Sequence, residues 1–247
     1  AACAEILKES NGRLTIDVYP NGQLGSDTDT VSQVRSGAID FVCTAGTIWG
    51  NLVPVTSINT VAFAFADYAT VWKAMDGELG AHMRAAFDKV NLVPVGKVFD
   101  HGFRQITNTS KPITGPKDLA GMKIRVPASP ILTSLFKGLD ALPAAAATAE
   151  IYTALQTKVV DGQENALNAI LANKFAEVQK FLVLTNHQYN PQALIVSKKL
   201  WDTLSAAEKK IIEDAAQEAA TVQRAASRSA LAAKLDMLQQ NGMTVTA

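Results

Sequence analysis

Apolar and polar residues alternate over several short stretches, and apolar residues recur at helical spacing in the stretches between them. Alternation over 13–19 predicts a half-exposed strand. Ser26 is placed to cap a helix that ends near Arg35, and an apolar run over 39–44 predicts a buried strand. A strand, a helix and a strand in about 30 residues have the size of a βαβ unit.

Helices and strands continue to alternate along the chain. Further helices are predicted over 71–87, 128–139, 150–156 and 167–180, and further strands over 90–99, 122–126, 142–147, 159–161, 182–185 and 193–196. This order predicts an α/β fold. Ser205 and Glu208 form a capping-box pattern before an alanine-rich helix that is predicted to run to Gln240. At about 1.5 Å per residue, this helix is long enough to run along two domains.

The strand over 122–126 carries two basic residues. Period two places Lys123 and Arg125 on one face, opposite the apolar residues of the strand, and Pro127 ends the strand because it has no N–H to donate. The planar guanidinium of Arg125 can bind a carboxylate bidentately, which a lysine ammonium cannot do. A surface ion pair on an edge strand is the alternative interpretation of this residue.

Composition narrows the function classes. The chain has 247 residues, is 48% hydrophobic, and contains 23 Lys and Arg against 23 Asp and Glu. This is enough for one large or two small domains, and the zero net charge argues against a nucleic-acid surface. Cys3 and Cys43 lack metal-binding spacing, and we expect Cys43 to be a small buried residue, with a disulfide between the two as the alternative.

Catalytic and cofactor motifs are not found in the sequence. There is no nucleophile elbow, zinc-protease motif, dinucleotide fingerprint or phosphate-binding loop, and the three histidines are scattered. Asp161 and Glu164 could act as an acid–base pair, but we interpret them as a strand-end aspartate and a helix-capping glutamate. We therefore expect no enzymatic activity, no cofactor and no metal.

Three polar residues follow or end predicted strands. Arg104 lies beyond the strand that ends near Phe99, Arg125 lies on its own strand, and Asn165 lies at a strand-to-helix junction. Ligands of open α/β sheets bind at such strand ends. Two arginines and one amide predict a crevice that favours an anion.

These residues lie in motifs that resemble the extracytoplasmic substrate-binding proteins of TRAP transporters, the DctP-like family. The matching stretches span most of the chain in family order. They are YPNGQLG at 19–25, GFRQ at 102–105, DLAGMKIRVP at 118–127, EIYTALQ at 150–156, DGQEN at 161–165 and EVQK at 177–180.

The resemblance implies a periplasmic-binding-protein-like (type II-like) α/β fold in which two domains close on a ligand cleft. Crossing strands and a long helix would join these domains. The expected first domain comprises 1–100 and about 190–220, and the expected second domain comprises 101–189. The long helix over 205–240 would span both domains.

The resemblance also implies roles for individual residues. The arginine that matches Arg125 pairs with the ligand carboxylate, and the residues that match Arg104 and Asn165 support it. Asp27 would line the opposite wall, and Trp49 falls in the first-domain segment that faces the cleft. Thr148 stands at a ligand position where relatives carry an aromatic residue.

Four departures from sialic-acid-binding relatives bear on the ligand. Small or apolar residues replace hydrogen-bonding or aromatic side chains at Ala45, Ile48, Ala128 and Thr148. We therefore expect an organic acid that is smaller or less hydroxylated than sialic acid. Lys158 stands where the family often has glycine, and we interpret it as solvent-facing.

The resemblance implies a solute-binding protein of the periplasm, with a small organic acid as ligand and the small and large TRAP membrane subunits as partners. No nucleic acid is expected among its partners. Two alternatives remain at this point: a ligand-sensing protein that docks on a receptor, and a small hydrolase or isomerase that uses Asp161 or Glu164.

Overall fold

The computed structural model describes residues 2–246. The helices are α1 Ala2–Glu9, α2 Asp27–Ser36, α3 Gly46–Trp49, α4 Tyr68–Asp76, α5 Glu78–Ala85, α6 Pro130–Gly138, α7 Ile151–Gln156, α8 Leu167–Ala172, α9 Lys198–Trp201, α10 Ala206–Ser229 and α11 Leu231–Gln240. The strands are β1 Phe41–Ala45, β2 Leu92–Asn108, β3 Lys123–Val126, β4 Leu142–Ala145, β5 Gly162–Ala166, β6 Phe181–Ser197 and β7 Thr244–Thr246.

The chain forms two compact units. Unit 1 contains residues up to Thr56, Asp67–Asp100 and Pro191–Ser227, and unit 2 contains Ser57–Ala66, His101–Asn190 and the residues from Arg228 onward. The long strands β2 and β6 contribute residues to both units.

Unit 1 is built around β1 and the C-terminal half of β6, which pair antiparallel from Phe41 opposite Val196 to Ala45 opposite Gln192. Helix α2 begins where the sequence predicted, because the Ser26 hydroxyl accepts a hydrogen bond from the Asp29 amide and the Asp29 carboxylate accepts one from the Ser26 amide. The helix ends at Gly37, which adopts the left-handed conformation that glycine tolerates.

Helix α10 is attached to β2 within unit 1 by polar contacts. Arg224 donates through both terminal nitrogens to the Asp76 carboxylate, at 2.8 and 3.0 Å, and through Nε to the Val98 carbonyl at 2.8 Å. Its guanidinium also lies 4.0 Å from the centre of the Trp72 ring. The Gln223 amide exchanges two hydrogen bonds of 2.8 Å with the main chain of Asp100. These contacts fix the last residues of β2 that belong to unit 1.

Unit 2 carries the larger part of the sheet. Its strand order is β6, β2, β5, β3, β4, with β7 beside β6. Strands β3, β4 and β5 run parallel, and β2 pairs antiparallel with β5. One face of this sheet packs on α6 through a core that includes Ile106, Ile124 and Phe136. A second core involves α7, α8 and α11.

Several predicted elements differ in extent. Residues 13–19 form no strand, although Leu14 and Ile16 pack in the core of unit 1. The helix predicted over 71–87 is divided at Gly77 into α4 and α5, and the helix predicted over 205–240 is divided at Ala230. The two strands predicted over 182–196 form the single strand β6.

Both cysteines are free thiols in the structure, and Cys43 is exposed, so the expectation that it is buried is wrong.

No helix in residues 2–246 combines the length and apolar character that a membrane span requires.

Lys158 follows α7 with a φ of 58°, in the left-handed region, and its side chain is exposed. Because the side-chain Cβ makes this conformation costly, we expect Lys158→Gly to raise the free energy of unfolding by about 0.5–1 kcal/mol in urea denaturation. Lys158→Ala keeps the Cβ and removes the charge, so it should leave stability unchanged. Equal stabilities for the two variants would contradict the role of backbone strain.

Candidate functional site

One edge of the unit 2 sheet gathers most of the polar residues singled out in the sequence. Arg125 and Asn165 are the penultimate residues of the parallel strands β3 and β5, so both lie at the carboxyl edge of the sheet. Arg104 on β2 pairs with Ala166, the last residue of β5. The two arginines and the asparagine therefore lie on three neighbouring strands at one edge.

Strand pairing also determines the face on which each residue lies. Arg125 is the register partner of Gln163, so it shares a face with Gln163 and Asn165. Arg104 is the partner of Ala166 and lies on the opposite face, with Glu164. The two guanidinium groups thus approach the edge from opposite faces of the sheet.

Arg125 is buried, with 2% of its surface exposed. Its Nε and Nη2 donate to the main-chain carbonyl of Ala146, at 2.9 and 2.5 Å, just beyond the end of β4. These two bonds fix the plane of the guanidinium. Thr148 lies two residues further on, exposed at the start of a short 3₁₀ helix, and so belongs to the same edge.

Arg104 forms a buried ion pair. Its Nε and Nη2 donate to the two carboxylate oxygens of Glu164, the latter at 2.7 Å, and Nη2 also donates to the Glu164 carbonyl at 2.7 Å. Arg104 is 3% exposed and Glu164 is fully buried. The carboxylate offsets the charge of Arg104 and occupies one edge of its guanidinium.

His187 completes this pair. Its Nε2 lies 3.1 Å from the Glu164 carboxylate, and its Nδ1 lies 2.7 Å from the Thr185 hydroxyl. A carboxylate only accepts hydrogen bonds, so Nε2 carries a proton. Burial alone would raise the pKa of Glu164, but the Arg104 charge and the hydrogen bonds from His187 and Arg104 hold this pKa below its usual value.

Asn165 is oriented by a neutral histidine. Its Oδ1 accepts from the Ala166 amide at 3.1 Å and lies 3.3 Å from His101 Nε2. Burial, aided by the Arg104 charge, lowers the pKa of His101 to about 4, so the ring is neutral at pH 7 and donates through Nε2. These two contacts engage the side-chain oxygen of Asn165 and fix the orientation of its amide.

Asp27 and Trp49 lie in unit 1. Asp27 is the first residue of α2, and its Oδ1 accepts from the Thr44 hydroxyl at 2.9 Å. Trp49 ends α3 and is 1% exposed in the core, with its ring 5.3 Å from Phe87 in an edge-on contact. Its indole Nε1 has no hydrogen-bond acceptor among residues 2–246. The ligand roles of the six sequence-predicted residues stay predictions.

The interpretation of Glu164 as a helix cap is wrong, because this residue lies inside β5 and binds Arg104. The strand over 162–166 was not predicted because its first four residues, glycine, glutamine, glutamate and asparagine, are poor strand formers. If the motif DGQEN had been interpreted as a strand, the alternation of side chains would have placed Glu164 on the face opposite Gln163 and Asn165. The strand predicted over 159–161 is not formed; Asp161 lies just before β5, and its Oδ2 accepts from the Lys123 amide at 2.8 Å.

Among residues 2–246, no group of three or more histidine, cysteine, aspartate and glutamate side chains is placed to hold a metal ion. The chemistry of the edge is that of hydrogen-bond donors and fixed positive charge.

The structure is similar to solved structures of periplasmic solute-binding proteins. A TRAP periplasmic solute-binding protein from Polaromonas sp. JS666, with D-erythronate bound, superposes with a TM-score of 0.96 at 36% identity, over 99% of this chain and 80% of that one. One from Sulfitobacter sp. NAS-14.1, with β-D-galacturonate bound, has a TM-score of 0.96 at 30% identity, over 99% and 81%. The predicted α/β, periplasmic-binding-protein-like fold class is confirmed.

The chain belongs to the DctP family, described as bacterial extracellular solute-binding protein, family 7, whose model matches residues 2–247. It is 36% identical over 221 residues to the 2,3-diketo-L-gulonate-binding periplasmic protein YiaO of Escherichia coli, covering 89% of this chain and 67% of that protein. It is also 33% identical to the C4-dicarboxylate-binding periplasmic protein DctP of Rhodobacter capsulatus, covering 85% and 63%.

Membership confirms two sequence-based expectations. The resemblance to TRAP solute-binding proteins is correct, and the family consists of binding proteins rather than enzymes. The alternative of a hydrolase or isomerase is therefore wrong.

Removing the Glu164 carboxylate should leave the Arg104 charge buried without its offset. We expect Glu164→Gln to lower the free energy of unfolding by about 3–5 kcal/mol in urea denaturation at pH 7. Glu177→Gln is the matched control, because Glu177 is exposed and accepts a hydrogen bond from the Tyr152 hydroxyl at 2.8 Å. A Glu164→Gln protein as stable as this control would contradict the buried-pair account.

His101 should make stability depend on pH. Between pH 6.5 and about 4 the unfolded chain binds a proton at this residue that the folded chain does not bind. The free energy of unfolding should therefore fall, as pH falls, by up to about 1.4 kcal/mol per pH unit from this residue alone. His101→Gln should remove this part of the slope, whereas His82→Gln, at an exposed site on α5, should retain it. Identical slopes for the two variants would refute the assignment.

Proposed function

We propose that this protein is the solute-binding component of a TRAP transporter and captures a small organic acid in the periplasm. Arg125 pairs with the ligand carboxylate, and Arg104 and Asn165 donate further hydrogen bonds. The protein then closes on the acid and delivers it to the small and large membrane subunits of the permease.

The observation that carries this proposal is the arrangement at the carboxyl edge of the unit 2 sheet. Two buried arginines and one donor amide lie there on neighbouring strands, while the buried acid Glu164 is committed to Arg104. A carboxylate that pairs with a buried guanidinium must offset the desolvation of both charges, and the further donors of Arg104 and Asn165 contribute to that.

The chemistry of the three residues is complementary. A guanidinium held in a fixed plane by the Ala146 carbonyl can receive a carboxylate bidentately without first losing much side-chain entropy. Asn165 offers N–H groups because its oxygen is already engaged by His101 and by the Ala166 amide. The charge of Arg104, offset by Glu164, adds donors with little additional net charge.

Ligand closure follows from differential affinity. A ligand that contacts both predicted domains binds their closed arrangement more tightly and shifts the population towards it. Asp27 and Trp49 are the residues that we propose for the first domain, which was predicted to comprise 1–100 and about 190–220. The closed form would then be the one that the permease recognises.

Relatives guide the choice of ligand. The ligands of similar proteins include D-erythronate, β-D-galacturonate and 2,3-diketo-L-gulonate, all of which are smaller than sialic acid. At two positions where sialic-acid-binding relatives carry polar residues, this chain has Ala45 and Ile48, and Ile48 is 4% exposed in the core of unit 1. We therefore propose an acid of that smaller class.

Truncation of the proposed anchor should abolish tight binding. We expect Arg125→Ala to weaken binding of a cognate acid by about 2–5 kcal/mol in isothermal titration calorimetry, because one partner of a buried charge pair is lost. Arg125→Lys should also bind poorly, since an ammonium cannot form the bidentate contact.

Lys123→Ala is the matched control for this experiment. Lys123 lies two residues earlier on β3, carries the same charge and is exposed. Its removal should change affinity little. Wild-type affinity in Arg125→Ala would show that Arg125 is not the carboxylate anchor.

A further inference from the structure

Two buried amide side chains in unit 2 lack any hydrogen-bond partner. Gln188 and Asn190 lie on β6 and are 1% and 0% exposed. Neither the oxygen nor the nitrogen of either amide has a partner among residues 2–246. An amide flip cannot repair this, because both ends of each group are unpaired.

Such groups are rare in folded proteins, because an unpaired buried amide retains the full cost of its lost hydration. The adjoining segment adds a third case. Phe63 donates its amide to the His187 carbonyl at 2.9 Å, which ties residues 57–66 to β6, and in that segment Asn59 is 3% exposed with an unpaired Oδ1. Five unpaired polar atoms of neutral amides therefore lie on β6 and on the segment tied to it.

The same strand leads to the proposed anion site. The Thr185 hydroxyl contacts the Arg104 carbonyl at 3.4 Å, and Gln188 lies three residues further along β6, or about 10 Å of extended strand. Gln188 and Asn190 are two residues apart and so lie on one side of the strand. A short sugar acid, together with the side chains that hold its ends, can cover this span.

The chemistry of the amides indicates what they bind. They carry no charge and each can both donate and accept, whereas a carboxylate only accepts hydrogen bonds and an ammonium group only donates them. Each amide presents one acceptor and one donor pair, which is the complement of hydroxyl groups that both donate and accept.

We propose that Gln188 and Asn190 bind hydroxyl groups of the ligand, so that the captured acid is a hydroxylated one. This inference rests on the proposed function, because the arginines hold the carboxylate of the same molecule. It adds the residues that distinguish hydroxylated acids from plain aliphatic ones.

Isosteric substitutions test this assignment. Gln188→Met and Asn190→Leu remove the polar atoms and keep the approximate shape of each side chain. Calorimetric titration with D-erythronate and D-galacturonate, and with butyrate and succinate as unhydroxylated acids, gives the selectivity of each protein. Gln239→Met with Asn241→Leu is the matched control, since both residues are exposed in unit 2.

The wild type should prefer a hydroxylated acid. Each substitution should weaken its binding by roughly 10- to 100-fold and change the binding of unhydroxylated acids by less than about threefold. The melting temperature without ligand should stay constant or rise, because the removed atoms have no partner in the folded protein. The control variant should behave as the wild type.

Four results would overturn the proposal. Equal loss of affinity for both kinds of acid would indicate a general effect on folding. A lower melting temperature with unchanged affinity would indicate that the amides hold structural water. A wild type that binds butyrate or succinate at least as tightly as the hydroxylated acids would refute this inference and leave the proposed function intact. A wild type that binds no acid would refute the proposed function itself, and this inference with it.

Discussion

The positive charge of Arg104 lies in the interior of unit 2, and the local structure depends on how that charge is offset. Glu164 binds it through both carboxylate oxygens, and His187 donates to the same carboxylate. For this geometry, β5 must place a glutamate on the face of the sheet that packs on α6. Its neighbours Gln163 and Asn165 then fall on the opposite face, with Arg125. The ion pair and the donor surface are thus two consequences of one strand register.

That register explains how a buried surface can suit an anion. The negative charge of Glu164, the acid inside β5, is neutralised by its ion pair with Arg104, so it does not repel a carboxylate at the edge. His101 is neutral and serves to turn the Asn165 amide so that its N–H groups are available. Arg125 is held in one plane by the main-chain carbonyl of Ala146. For the proposed carboxylate ligand, donors that are already held in place would lose less entropy on binding.

Sequence patterns predicted the features that depend on local chemistry. The cap of α2 at Ser26, the capping box at Ser205 and Glu208, and the strand that carries Arg125 all follow from residue type and spacing. The rule that ligands bind at strand ends predicted that Arg104, Arg125 and Asn165 lie near one another. The structure places them on three neighbouring strands at one edge of the sheet.

Features that depend on tertiary contacts were missed or misjudged. Glu164 was predicted to cap a helix because its neighbours are polar, and polar residues are not typical of a buried strand. Residues 13–19 alternate like a strand but do not pair as one, since alternation indicates a half-buried surface and not the presence of a partner. The unpaired amides at Gln188 and Asn190 are not detectable from sequence, because burial and hydrogen bonding depend on what the fold places around them.

The central claim is that this protein binds a carboxylate through a fixed arginine. Its most direct test is thermal unfolding of the protein with a panel of small acids and, for each acid, the corresponding amide. At about 100 times its dissociation constant a ligand stabilises the fold by roughly 2.7 kcal/mol, which for a chain of this size raises the melting temperature by about 5–10 °C. We expect at least one acid to produce this shift while its amide does not. Equal shifts from an acid and its amide, or shifts from sugars or amines alone, would contradict the account.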